Sequence, residues 1–330
     1  MSAAWVAGTV RARALERRRI GIDGARALLS AGSFPAAVEI LVRSPYGHRG
    51  DAREPTTRHG VHPGDDPDAA AYGVASALLW NLRVLAGWLP AHGTQTLRVL
   101  AGWFEIANAE EHVRELAGLP AAPPHALGSL ATAWPRMAAA RTPDELRAVL
   151  TTSPWRDPGG AGPRDIQIGL RLAWAERVSD RLPAARPWAL GGAALLVARE
   201  LLARREPLSE PARAMARRTL GSRLATGASS VGELRDSLPR DARWALAEVT
   251  DSEQLWQAEA NWWRRLHTDC TMLAARSSLG DARDPGARRG GEESVVGAVG
   301  LLAHDAWLVT GALAGAGRDG DALELLDALA

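Results

Sequence analysis

Asp65, Asp66 and Asp68 place three carboxylates within four residues around Pro67, a grouping that can hold a hard cation and, through it, a diphosphate. On this ground a helical metal-dependent enzyme using Asp65, Asp66 and Asp68 is one reading of the chain. The acids also stand at the end of a Gly/Pro-rich segment, where Asp68 is well placed to cap the helix that follows. His59 and His62 have a spacing that can bind zinc, but no His-Glu-x-x-His occurs and the single cysteine, Cys270, is remote in sequence. His267 and Cys270 can be drawn as a nucleophilic dyad. On a helix, residues three apart are simply neighbours on one face, and Cys270 then reads as a small core residue. Catalytic, cofactor and metal residues are therefore expected to be none.

Composition narrows the choice further. All 39 basic residues are Arg and none is Lys, so neither a Schiff base nor a P-loop lysine can form. Against 38 acidic residues the formal net charge is +1, which gives no global attraction to nucleic acid or to an anionic membrane. A lone cysteine allows no internal disulfide and fits a cytoplasmic location. At 330 residues and 46% hydrophobic content the chain can fill a sizeable core. The most membrane-like stretch, from Ser294 to Gly317, carries His304 and Asp305 near its middle, a pair costly in lipid and ordinary in a buried helix. No direct membrane insertion is expected.

Periodicity predicts an all-α protein. The word Leu82-Arg83-Val84-Leu85-Ala86-Gly87-Trp88 returns as Leu97-Arg98-Val99-Leu100-Ala101-Gly102-Trp103 across a Pro-Ala-His-Gly break, which reads as a helical hairpin. A second hairpin runs from Ile166 past the Leu182-Pro183 stop to Arg204. A third pairs 252–276 with Ser294–Gly315 through a loose linker at 278–291. Shorter helices are expected at 3–18, from Asp23 to Ser30, from a Ser33 cap through Arg43, and at 126–139, 143–151, 209–225, 231–237 and 241–249. Residues 47–67, rich in Gly, Pro and His, read as an exposed, flexible loop. Most of the Trp residues fall on long arms and are expected in the core, with a minority as anchors for a partner. The glycine pair Gly191-Gly192, and Gly297 with Gly300, read as close helix crossings. The expected organisation is three serial lobes built from long helical hairpins, 1–122, 123–207 and 208–330. Spacing alone says no more about function than a helical body.

Beyond spacing, Trp5-Val-Ala-Gly-Thr-Val10-Arg11 followed by Phe34-Pro-Ala-Ala-Val-Glu-Ile-Leu41-Val-Arg-Ser-Pro-Tyr46-Gly47 resembles the start of the C-type subunit family of V-type and A-type rotary ATPases, whose eukaryotic counterpart is the d-type subunit. The later run Trp103-Phe104-Glu105-Ile106-Ala107-Asn108 is similar to an aromatic, acidic, Ile and Asn run of that family. The resemblance implies a funnel of three similar helical lobes. It further implies a non-catalytic central-stalk coupling subunit that links the rotor shaft to the membrane proteolipid ring, peripheral to the inner face of the cell membrane. It implies no cofactor, no small-molecule substrate and no nucleic acid. A free-standing all-helical interaction scaffold is the alternative from another class. Arginines at helix ends suggest how a nearly neutral chain grips acidic partners: Arg17, Arg18, Arg19, Arg204, Arg205, Arg288 and Arg289 on a rim, with Trp5 and Tyr46 as apolar anchors.

Overall fold

The computed structural model describes residues 3–48, 59–276 and 287–317, without the side chains of Arg276 and residues 287–290. Of these residues 71% are helical and none lies in a strand, so the chain is all-α. The helices are α1 (Ala3–Glu16), α2 (Gly21–Leu29), α3 (Phe34–Val42), α4 (Pro67–Ala86), α5 (Ala91–Leu100), α6 (Gly102–Leu116), α7 (Trp134–Met137), α8 (Pro143–Thr151), α9 (Pro163–Arg181), α10 (Arg186–Ala198), α11 (Glu210–Leu220), α12 (Val231–Ser237), α13 (Arg240–Arg243), α14 (Leu255–Arg276) and α15 (Ala287–Gly315).

Short helices start where a side chain can accept an orphan backbone N–H. Ser33 caps α3 by accepting from Ala36 N, Thr142 caps α8 by accepting from Glu145 N, and Ser230 caps α12 by accepting from Glu233 N. Glu145 and Glu233 reach back to the N–H of Arg141 and Ser229, so each of these two caps is reciprocal. At α4 the cap is Asp66 and not Asp68: its Oδ1 accepts from Ala69 N at 2.8 Å, because helical geometry already begins at Pro67. The expected helix at 126–139 is a short 3-10 turn at Gly128–Leu130 followed by α7, and that at 241–249 is α13 plus a second such turn, Trp244–Leu246.

The chain divides into two compact units, one of residues 1–97 with 263–330 and one of residues 98–262. This grouping departs from the serial boundaries at 122/123 and 207/208. The reason lies in α15, whose 291–315 part is largely apolar and buried and which packs on α1, α2, α3 and α4, so the C-terminal arm belongs with the N-terminal helices. In this first unit Leu28, Leu41, Tyr46, Val74, Val309 and Leu313 share one core. The expected hairpin of α14 and α15 is present here: a Cβ at Gly297 would stand 2.8 Å from the Cys270 carbonyl oxygen. Trp263 stacks on Trp307 with ring centroids 4.9 Å apart. α15 starts seven residues before the expected Ser294; residues 278–286 of the expected linker lie outside the described residues.

Two features of the first unit correct the expectations. The 47–67 segment is not simply an exposed loop: Val61 is fully buried, its N–H donates to Tyr46 O at 2.9 Å, and its carbonyl accepts from His48 N at 3.0 Å. One apolar side chain inserted into the core fixes 59–66, which composition could not show; residues 49–58 lie outside the described residues. The first hairpin is also not one packing element, because α4 packs on α15 and α1 whereas α6, in the other unit, packs on α9.

In the second unit α9 packs on α6, α10 and α11, and α10 on α13, so the hairpin of α9 and α10 is as expected. By length and composition, α4 and the 291–315 part of α15 could each cross a membrane. In the apolar window of the latter, 78% is buried within the fold. That is the setting in which His304 and Asp305 are accommodated.

Candidate functional site

Two of the buried carboxylates, one in each unit, each gather a pair of backbone N–H groups and an aromatic donor. Asp305, on α15 and 1% exposed, accepts from the N–H of Ile20 at 3.2 Å, the N–H of Gly21 at 2.7 Å and the phenol of Tyr46 at 2.8 Å. It thus caps the N-terminus of α2, which explains why that helix begins at Gly21, ahead of the expected Asp23. Asp23 instead pairs with Arg26 at 3.2 Å. Glu105, on α6 and 1% exposed, accepts from Thr132 N at 2.6 Å, from Ala133 N, and from the Trp155 indole N–H at 3.1 Å. It holds the entry to α7 one position earlier, on the N–H groups of the N-cap Ala133 and of Thr132 before it.

The aromatic donors arrive by one local device. Ser44 follows α3 and donates to Leu41 O at 2.6 Å while its Oγ accepts from Tyr46 N at 3.1 Å. Ser153 follows α8 and donates to Leu150 O at 2.7 Å while its Oγ accepts from Trp155 N at 3.1 Å. In each case the proline between serine and aromatic ends the helix and turns the ring inward. Each latch therefore joins two consecutive backbone N–H groups, a capped helix, a Ser-Pro-aromatic turn and a carboxylate from a distant helix. The matching triplets Ser44-Pro45-Tyr46 and Ser153-Pro154-Trp155 are the sequence signal that would have found it.

The electrostatic settings differ. Burial pushes the Asp305 carboxyl above the usual carboxylate range, against the pull of Tyr46, the two backbone donors and Arg19. Burial, and then Asp305 itself, hold the Tyr46 phenol well above its ordinary value, so it stays a donor. Around Glu105 the cation is Arg177, whose guanidinium lies 4.7 Å above the Trp155 ring. Burial lowers the Arg177 pKa, with Glu105 acting in the opposite direction. Beside Asp305 on α15, His304 is 5% exposed and stacks on His267 at 4.7 Å. Burial, then His267 and Arg19, bring His304 down to about 4.

The expected rim residues do not share one environment. Trp5 is 6% and Tyr46 7% exposed, so both are core side chains; as anchors for a partner they are corrected, since a ring covered by its own chain offers little contact area. Arg17 is exposed at the end of α1, while Arg19 hydrogen-bonds the Glu16 carbonyl. Arg18 is half-buried beside Asp305 and Tyr46 in a cavity of about 20 Å³. Arg204 binds the buried Glu200 at 3.0 Å, opposite Arg164 at 2.7 Å, and Arg205 is exposed with a φ of 55°. The side chains of Arg288 and Arg289 lie outside the described residues. Among the Trp residues expected in the core, Trp80, Trp88, Trp103 and Trp256 are exposed, whereas Trp188 is buried.

The acidic triplet is spent on local structure: Asp65 accepts from His62 N at 2.8 Å, Asp66 caps α4, and Asp68 lies exposed in its first turn. Among the described residues no group of three His, Cys, Asp or Glu side chains is arranged to hold a metal ion. Burial raises the Cys270 thiol far above its ordinary value, which leaves it a poor nucleophile. His267 faces His304 on the neighbouring helix. A scan of family models found no match to this chain, and a search of curated proteins found none either.

Proposed function

We propose that this chain is a non-catalytic coupling subunit of a V-type or A-type rotary ATPase, carried between the rotor shaft and the membrane proteolipid ring. The observation that carries the reading is the recurrence of one helical latch, in 20–46 with Asp305 and in 132–155 with Glu105. A body of similar helical lobes is what the resemblance implies. Two residues that carry the resemblance take part in this repeat, Tyr46 as latch donor and Glu105 as latch acceptor, and a third, Asn108, holds the backbone of His125 at 2.7 and 2.9 Å. Co-purification tests it. A tagged chain recovered from its own cells should bring shaft subunits or proteolipid ring with it, and recovery of neither refutes the reading.

The exposed rings of Trp80, Trp88, Trp103 and Trp256 favour a second reading, a helical scaffold for some other protein, since large exposed aromatics are common binding anchors. Finding no rotary ATPase subunit genes beside this one would support the scaffold.

A further inference from the structure

A partial third copy, residues 230–249 packed on α10 and α14, repeats the indole-on-glycine packing of the second latch without its Ser-Pro-aromatic turn or its carboxylate. The register is set by glycines. Gly102 on α6 faces two indoles, with a Cβ there standing 2.9 Å from Trp174 and 3.2 Å from Trp155. Gly191 on α10 likewise faces two, 2.6 Å from Trp244 and 3.2 Å from Trp262. The Trp174 indole donates at 2.8 Å to the carbonyl of Val99, three residues before Gly102. The Trp262 indole donates at 2.9 Å to the carbonyl of Trp188, three residues before Gly191. α10 thus stands where α6 stands, α14 where α9 stands, and Trp244 where Trp155 stands. A serine again closes the short helix, Ser237 donating to Leu234 O at 2.6 Å, but its Oγ accepts from Ala225 N at 3.0 Å and not from the aromatic. Three residues beyond Gly102 comes Glu105, and three beyond Gly191 comes Ala194.

Without an acceptor at position 194, the Trp244 indole donates to Asp241 O on its own turn, at 2.9 Å. Trp244 is only half-buried, against 1% exposure for Trp155. We infer that Asp305 and Glu105 lock their copies of the unit, and that the third copy, residues 230–249, is the yielding one, opening locally while the other two stay closed. A local opening costs only the contacts it breaks, and in this copy Ala194 supplies no carboxylate of the kind that Glu105 supplies in the second. The inference rests on the repeat alone and holds whatever partner the chain has.

Native-state hydrogen exchange on the full chain tests this. The amides of Leu234 and Leu238, both bonded within the third copy, should be at least about tenfold less protected than those of Leu146 and Leu150 in the second. Glu105→Ala should bring Leu146 and Leu150 down to the level of the third copy and leave Leu234 and Leu238 unmoved. Should that variant fail to fold, Glu105→Gln, which keeps one acceptor oxygen, should give the same pattern at smaller size. Equal protection of the two copies in the wild type overturns the inference, as does a loss of protection at Leu234 and Leu238 as large as that at Leu146.

Discussion

Asp305 and Glu105 perform one task in two units of the molecule, and what differs is what stands around them. Each holds the entry to a helix and takes an aromatic donor from a Ser-Pro turn. Glu105 has an indole donor with a guanidinium packed on the ring, whereas Asp305 has a phenol and lies beside a pair of stacked histidines. The shared part sets backbone geometry, which tolerates no substitute for an acceptor at that point. The differing part sets how the two latches respond to mutation and to acid.

Glu105→Ala should give the largest effect. It orphans two backbone donors and the Trp155 indole and removes a negative charge that acts on Arg177, so a loss of about 3–5 kcal/mol is expected in urea unfolding. Asp305→Ala should cost less, about 2–4 kcal/mol, because burial already taxes that carboxyl, and Asp305→Asn should restore part by keeping one acceptor oxygen. Equal losses at the two sites would show that the surrounding cation and rings contribute nothing. Tyr46→Phe removes one donor from Asp305 and should cost about 1 kcal/mol.

Acid should separate the units further. The folded His304 pKa, about 4, lies below the unfolded value of about 6.5, so the neutral ring favours the fold. That stability is fully present above about pH 6.5 and is lost as pH falls through about 4, amounting to roughly 3 kcal/mol. Asp305 acts in the opposite sense, since a raised folded pKa favours the fold at low pH and its contribution fades as pH rises. In His304→Leu the unfolding free energy should therefore fall less steeply between pH 6.5 and 4, and an unchanged slope would remove His304 from the account. The smallest effect belongs to the surface: Arg17→Glu should move stability by no more than about 0.5 kcal/mol. If the rotary reading holds, it should also weaken partner capture most at low salt.

Local signals in the sequence carried much of the fold. Ser33 announces α3, and α8 and α12 run over the expected 143–151 and 231–237. Packing partners were legible for the hairpins α9/α10 and α14/α15 but not for the repeated seven-residue word. In its first copy Val84 is half-buried, Leu85 buried, and Gly87 an exposed C-cap that ends α4. In its second copy Val99 is buried, Leu100 half-buried, and Gly102 starts α6 beneath Trp174. Identical letters meet different neighbours, so tertiary contact decides their faces. For the same reason Tyr46 and Trp5 read as anchors when they are core, because nothing local tells that a carboxylate 259 residues away awaits the phenol. Asp305 was visible only as a charge that an apolar helix must account for.

The claim that two distant carboxylates hold the entries to two short helices is tested most directly by the amide proton resonances of Ile20, Gly21, Thr132 and Ala133. Hydrogen bonds to a carboxylate should place all four downfield of the amides around them. Glu105→Gln should move Thr132 and Ala133 upfield and leave Ile20 and Gly21 in place, and Asp305→Asn should do the reverse. Four unshifted amides, or both pairs moving in either variant, would contradict it.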